Sequence, residues 1–138
     1  MSVSSKIRER QYNIFLSHSS QDKWICIRIA RLLSDHGIHS HLDAFDFEAG
    51  RNIGEEVKKG IRDSNELLVL LSPASIQSDW VKHEAGIADA YDLPITLVLL
   101  HVTLDQRPEP LKGLLSISMD ELDSFAERLR KKLESDHA

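Results

Sequence analysis

Residues 72–91 read SPASIQSDWVKHEAGIADAY, and this stretch decides the fold of the chain. It follows an apolar run, Leu67–Leu71, that is typical of a buried strand. The Ser-Pro pair at its start ends the strand, and either Ser75 or Ser78 can cap a helix that begins shortly afterwards. The stretch therefore predicts a buried strand, a polar turn and a helix in direct succession.

A carboxylate lies in the middle of the apolar face of this helix. At roughly 100° per residue, that face contains Trp80, Val81, Glu84, Ala85, Ile87, Ala88 and Tyr91. A carboxylate in such surroundings must find partners, take up a proton or face a cleft. Two interpretations of Glu84 stay open from the residues alone: an ion pair with an Arg or Lys of a neighbouring element, or a functional carboxylate.

Composition indicates one ordinary globular domain. The chain has 138 residues, 41% hydrophobic and 28% charged, with a net charge of -5 and no basic block. These values disfavour nucleic acid and an anionic membrane as main partners. No apolar run approaches the roughly 20 residues of a membrane span, and the polar start of the chain leads us to expect no secretory signal. We expect a disordered lead-in over residues 1–11, one domain over residues 12–138, and a cytoplasmic protein.

Strand and helix patterns alternate along the chain. The predicted strands are 12–16, 38–42, 67–71, 95–100 and 114–118, and the other predicted helices run from about residue 20 to 36, from 53 to 63 and from 119 to 133. The first, third and fourth strands are apolar without alternation. This pattern is typical of a parallel sheet with helices on both faces.

The first helix has an expected buried side. It contains Trp24, Ile25, Ile27, Ile29, Leu32 and Leu33, with Ser20 as a candidate cap. The single cysteine, Cys26, lies in this apolar pattern and is expected to be a buried, inert thiol. Gly37 is expected to end the helix with a positive φ.

Polar residues follow the predicted strands at their carboxyl ends. They are Ser17 and His18, Asp43, Ser72 and His101. Ligands of open α/β sheets bind outside these ends. Glu84 lies about one and a half turns into the helix that follows Ser72. Glu84 and the polar residues at the strand ends are therefore the candidate site.

In three blocks, the chain resembles the TIR (Toll/interleukin-1 receptor) domain family in its bacterial form. The blocks are residues 12–22, residues 43–54 with continuation to Ile61 and Ser64, and residues 68–84. They occur in order and at family spacing, and the resemblance covers about residues 12–133. It implies a flavodoxin-like fold with a five-stranded parallel sheet. One departure is Ala49-Gly50, where the family's BB loop usually has Pro-Gly.

The resemblance implies an enzyme that consumes NAD. Glu84 matches the position of the family's catalytic glutamate, which makes it the catalytic carboxylate. Nicotinamide leaves NAD as a neutral molecule, so the reaction needs no general acid, and a carboxylate can stabilise the oxocarbenium-like ribose. Water then gives ADP-ribose, and another nucleophile gives a cyclic or conjugated product. NAD is the substrate, and no cofactor is expected.

Other candidate substrate-binding residues each have a structural alternative. Trp80 is one turn before Glu84 and can form a wall of the nicotinamide pocket or pack in the core. Ser17, His18 and Ser72 can bind phosphate or ribose, or cap turns and helices.

The loop after the second strand supplies further candidates. Asp43 lies at the pocket edge or is a solvated loop acid. Phe47, like Phe45, can stack on a base, pack on another protomer or turn inward. Gly50 suggests a positive φ or a close backbone approach.

Several other chemistries are not supported. His39 and His41 with Asp43 suggest a metal, but no fourth ligand is evident, so no metal site is expected. No Gly-x-Ser-x-Gly elbow, Gly-x-Gly-x-x-Gly or Walker loop occurs. A phospho-acceptor receiver domain would need Asp at the end of the third strand, where the chain has Leu71-Ser72.

The resemblance leads to an NAD+ hydrolase or cyclase that works as a homo-oligomer. By the same resemblance, its ADP-ribose-derived product would signal to a separate effector in anti-phage defence. The rival is a non-enzymatic interaction module that assembles through its BB loop. The sequence leaves open the product, the trigger, the oligomer geometry and the effector.

Overall fold

The computed structural model describes residues 11–42 and 53–136. Five strands occur in these ranges: β1 (Asn13–Ser17), β2 (His39–Leu42), β3 (Glu66–Leu71), β4 (Ile95–Leu99) and β5 (Leu115–Ser118). Four α-helices accompany them: α1 (Lys23–Asp35), α2 (Ile53–Arg62), α3 (Asp79–Ala90) and α4 (Leu122–Asp136). The predicted elements are therefore present, with boundaries that differ by at most three residues.

The strands form one parallel sheet in the order β2-β1-β3-β4-β5. This order is that of the flavodoxin-like doubly wound fold, in which the chain reverses direction across the sheet between β1 and β3. The predicted fold class is confirmed. No helix within residues 11–42 and 53–136 combines the length and the apolar character that crossing a membrane requires.

Helices cover the sheet on two faces, and alternation along β1 separates them. Ile14 and Leu16 belong to a buried cluster with α1 and α4, and we call this side the first face. Phe15 belongs to a second cluster with α2 and α3, on the second face. Because successive side chains of a strand point to opposite sides, Ser17 also belongs to the second face. This parity decides which helix each polar strand end meets.

Helix α3 begins as the sequence predicts. Ser78 is its N-cap, and the Ser78 hydroxyl accepts a hydrogen bond from the backbone N–H of Val81 at 3.4 Å. Its buried residues are Val81, Glu84, Ala85, Ile87 and Ala88. The predicted face is wrong at Tyr91, which is 40% exposed, because the helix ends at Ala90 and Tyr91 lies beyond its last turn.

Helix α1 has a narrower buried stripe than predicted. Cys26, Ile29 and Leu33 face inward, whereas Trp24 is 63% exposed and Ile27 is 37% exposed. Trp24 is two residues from Cys26, or about 200° around the helix, so it points away from the sheet. The prediction that Trp24 lies in the core is wrong. The prediction of a buried Cys26 is confirmed, and burial together with the charge of Asp22 raises the pKa of this thiol to about 12.

The ends of α1 also differ in part from the prediction. A 3₁₀ turn over Ser20–Asp22 precedes the helix, and its N-cap is Ser19, whose hydroxyl accepts from the backbone N–H of Gln21 at 3.3 Å. Ser20 is therefore not the cap. At the other end Gly37 has φ +75°, as predicted.

The last helix starts later than predicted. Residues Met119–Glu121 form a 3₁₀ turn, and the backbone N–H of Ser118 donates to Glu121 Oε1 at 3.1 Å. The α-helical hydrogen bonding begins at Leu122. Leu122 and Ala126 are buried on the first face.

Candidate active site

Ser17 and Glu84 meet in the interior on the second face. Ser17 is the last residue of β1, and Glu84 is in the middle of α3. The Ser17 hydroxyl donates a hydrogen bond to Glu84 Oε1 at 2.6 Å, and the two residues are 1% and 0% exposed. Hydrogen bonds to an ionised carboxylate are short and about twice as strong as neutral ones. The carboxylate that the sequence singles out therefore has a buried hydroxyl partner at the carboxyl edge of the sheet.

Packing of α3 on the sheet determines where Glu84 lies. Val81 precedes it by one turn toward the helix start, and Ala85 and Ala88 follow; all three are buried in the cluster of the second face. A side chain held between such contacts has little rotational freedom. The ion-pair interpretation of Glu84, with an Arg or Lys of a neighbouring element, stays a prediction.

Trp80 is partly buried and packs against the same cluster. Its ring lies 5.6 Å from the ring of His83, centroid to centroid, at an interplanar angle of 43°. The residue lies one turn before Glu84, as the helical spacing predicts. It is thus close to the carboxylate along α3 while keeping part of its surface in solvent.

His18 follows Ser17 and is 2% exposed. Its Nδ1 lies 3.3 Å from the carbonyl oxygen of Leu16. Because a carbonyl can only accept, this contact is a hydrogen bond when Nδ1 carries the proton. The side chain is therefore tied to its own strand end by a local contact.

Ser72 joins a different group of polar side chains. Its hydroxyl donates to Asp22 Oδ2 at 2.5 Å. Ser72 and Ser75 also bond reciprocally, backbone N–H to hydroxyl, at 2.8 and 3.1 Å. This pattern matches the capping alternative for Ser72. Sequence reasoning missed Asp22, although an acid directly before a helix was a visible signal.

Asp43, Phe47 and Gly50, like Phe45, lie outside the described residues, so their roles stay predictions. Within the described ranges, no three His, Cys, Asp or Glu side chains come together as metal ligands would. His39 and His41 are both exposed on β2, and the ring of His41 lies 5.4 Å from that of Phe15.

A second buried carboxylate, at the opposite edge of the sheet, was also missed. The Tyr12 hydroxyl donates to Glu66 Oε1 at 2.6 Å, and Thr96 Oγ1 donates to Oε2 at 3.2 Å. Burial raises the pKa of Glu66, while these two hydrogen bonds and the charge of Lys132 partly oppose the rise. Burial likewise raises the pKa of Tyr12. Glu66 starts β3, at the amino end of the strands, so it is remote from the candidate site.

The arrangement of Ser17 and Glu84 suits electrostatic stabilisation of a cation. An ionised carboxylate in an apolar setting interacts more strongly with a nearby positive charge than it would in water. A hydroxyl donor keeps the carboxylate oriented before any substrate arrives. Such a group can stabilise positive charge that develops on a sugar ring.

Comparison with known proteins identifies the same fold and several named relatives. The family model described as the TIR domain matches residues 14–134. The TIR domain of the Toll-related receptor TRR-2 from Hydra magnipapillata superimposes with a TM-score of 0.71 at 18% identity, over 90% of this chain and 99% of that chain. This likeness concerns the fold.

Two curated relatives have names that refer to NAD chemistry. The "2' cyclic ADP-D-ribose synthase BtTIR" of Bacteroides thetaiotaomicron is 27% identical over 131 residues, which are 88% of this chain and 46% of the relative. The "NAD(+) hydrolase TirS" of Staphylococcus aureus (strain MSSA476) is 37% identical over 75 residues, 54% of this chain and 27% of the relative. The chain thus spans less than half the length of each of these relatives.

Proposed function

This chain belongs to the TIR domain family, and from that membership we propose that it cleaves the bond between nicotinamide and ribose in NAD+. The names of its relatives support this class of reaction. The observation that carries the proposal is the buried contact between Ser17 and Glu84, because it places an oriented carboxylate at the carboxyl edge of the sheet.

In the proposed reaction, the glycosidic C–N bond breaks and its electron pair leaves with the nicotinamide nitrogen. The positive charge of the nicotinamide ring thereby moves to the ribose, which becomes oxocarbenium-like. The Glu84 carboxylate stabilises this charge, and Ser17 holds the carboxylate in place. Water then adds and releases a proton to give ADP-ribose. Alternatively, a hydroxyl of the same molecule adds and releases its proton to give a cyclic product.

Glu84 is 0% exposed, so the proposed reaction requires an opening movement before NAD+ can reach it. Trp80 is a candidate for this movement because it is partly buried one turn away. On the resemblance alone, we assign Asp43, Phe47 and Gly50 to the rim of the opened pocket. We also propose that a second copy of the chain completes the site, with His18 and Ser72 supporting strand ends near it.

The direct test incubates the purified protein with NAD+ over a range of protein concentrations and identifies the products by mass spectrometry. Glu84→Gln keeps the size of the side chain and removes its charge, so turnover should fall by about 10²–10³-fold with unchanged circular dichroism. Glu109→Gln is the matched control, because Glu109 is an exposed carboxylate paired with Lys112. Absence of NAD+ consumption at every concentration would favour the non-enzymatic interaction module instead.

Following the resemblance, we further propose that the product is a signal for a separate effector in anti-phage defence. Cells that express the wild-type chain together with its effector should survive phage infection better than cells with the Glu84→Gln variant. Equal survival with the two variants would remove the link between the reaction and defence.

A further inference from the structure

An open cavity of about 890 Å³ lies on the first face of the sheet, away from Ser17 and Glu84. Helix α1, the start of α4 and the segments after β3 and β4 form its walls. Much of the wall is aliphatic, with contributions from Ile25, Ile29, Leu32, Leu100 and Leu122. We call it the α1–α4 cavity. Its size and apolar lining are those of small-molecule sites, and it lies at the ligand-binding edge of the fold.

A buried carboxylate contributes to the lining of this cavity. Asp22 is 8% exposed, and the Ser72 hydroxyl donates to its Oδ2 at 2.5 Å. Asp22 is the N-cap residue of α1, yet its side chain makes no capping hydrogen bond to the helix. No Lys, Arg or His nitrogen of the described residues forms a salt bridge with it at 4.0 Å or less.

One hydroxyl and the positive end of the α1 dipole therefore compensate this charge within the described part of the chain. The dipole effect on a charge near the surface is small, whereas a carboxylate that is buried without a cation is unfavourable. A cationic ligand would supply the missing compensation. The aliphatic walls would at the same time take up an apolar ligand body.

We propose that the α1–α4 cavity binds a small organic monocation, a primary amine with an apolar body, whose ammonium group pairs with Asp22. Arg28 and His101 also line the cavity, and both side chains are exposed. The site lies on the opposite face of the sheet from the Ser17–Glu84 contact and does not depend on NAD+ cleavage.

The test compares two probes that share one apolar body, hexylamine and 1-hexanol. Each is titrated into the ¹⁵N-labelled chain at neutral pH, and amide shifts are followed at residues that line the cavity. We expect hexylamine to bind at least about tenfold more tightly than 1-hexanol, with the largest shifts at Asp22 and Ala74. In Asp22→Asn the two probes should bind alike, whereas Asp105→Asn, a change in an exposed acid of another loop, should leave the preference unchanged.

A second variant keeps the test decisive if Asp22→Asn fails to fold. Ala74→Leu fills part of the cavity and leaves Asp22 in place, so it should weaken both probes. Three results would overturn the proposal: no binding of hexylamine up to about 10 mM, equal binding of the two probes to the wild-type chain, or undiminished hexylamine binding in a folded Asp22→Asn protein.

Discussion

Replacing Ser17 with Ala tests whether its hydroxyl holds the Glu84 carboxylate. The change removes a 2.6 Å hydrogen bond to a carboxylate that has no exposed surface. Hydrogen bonds to charged groups contribute about 1.5–3 kcal/mol to the free energy of unfolding. At about 2.1 cal/mol/K per residue, the 138-residue chain has an unfolding entropy of about 0.29 kcal/mol/K. The melting temperature should therefore fall by about 5–10 °C.

A double-mutant cycle separates this contact from the general cost of losing a buried hydroxyl. In the Glu84→Gln background the bond that Ser17 donates is neutral, and it contributes about 1 kcal/mol. Ser17→Ala should then cost less than in the wild-type chain, by about 0.5–2 kcal/mol. The exposed Ser20 is the control position, where Ala should change the free energy of unfolding by less than about 0.5 kcal/mol.

The same variant should lower NAD+ turnover by about tenfold or more, because the carboxylate is no longer held in one position. Differential scanning fluorimetry, urea titration and NAD+ consumption are measured on one preparation of each variant. An unchanged melting temperature together with zero coupling in the cycle would refute the inference that Ser17 positions Glu84.

Three further predictions address other parts of the chain. Burial raises the pKa of Glu66 above the ordinary 4.5, so the folded protein keeps a proton that the unfolded chain loses. The free energy of unfolding should therefore fall as pH rises above about 4.5. Urea titrations across pH should show a smaller fall for the Glu66→Gln variant. Specific NAD+ cleavage should rise with protein concentration if a second copy completes the site, and a constant value from nanomolar to high micromolar would exclude this requirement. Gly50→Pro should leave the melting temperature near the wild-type value and strongly reduce NAD+ cleavage, and full activity would show that this loop position has no part in the mechanism.

The fold was predictable because its three central strands, β1, β3 and β4, are apolar without alternation. The run Leu67–Leu71 is apolar without alternation, and this is the pattern of a strand covered on both faces. The helix after it was predictable in its buried centre because the spacing around Glu84 is a local feature, whereas the cap was narrowed only to Ser75 or Ser78 and the structure has Ser78. The exposure of Trp24 was not predictable in this way. A large apolar residue that neighbours buried positions of a helix is assigned to the core from sequence, although the helix can orient it away from the sheet.

The partners of the buried polar groups were beyond sequence reasoning. Ser17 and Glu84 are 67 residues apart, and Ser72 and Asp22 are 50 apart. Their contacts depend on the order of the strands and on which face of the sheet each helix covers. The periodicity of the sequence within one element gives no information on either. The two serines looked alike as strand-end residues. Because side chains alternate along a strand, Ser17 lies on the second face of the sheet. Ser72 instead lies in the turn after β3, where it contacts Asp22 at the start of α1.

The full burial of Glu84 has a thermodynamic consequence for any ligand that must touch it. Such a ligand binds a minor conformer, and its apparent dissociation constant is the intrinsic one divided by the fraction of molecules that are open. If about one molecule in a hundred were open, the affinity for the proposed substrate NAD+ would be weakened about a hundredfold, at a cost of about 2.7 kcal/mol. An assembly that favours the open conformer can recover up to this whole factor without adding a catalytic group. The unassembled chain would then consume little NAD+ because most of its molecules are in the closed conformer.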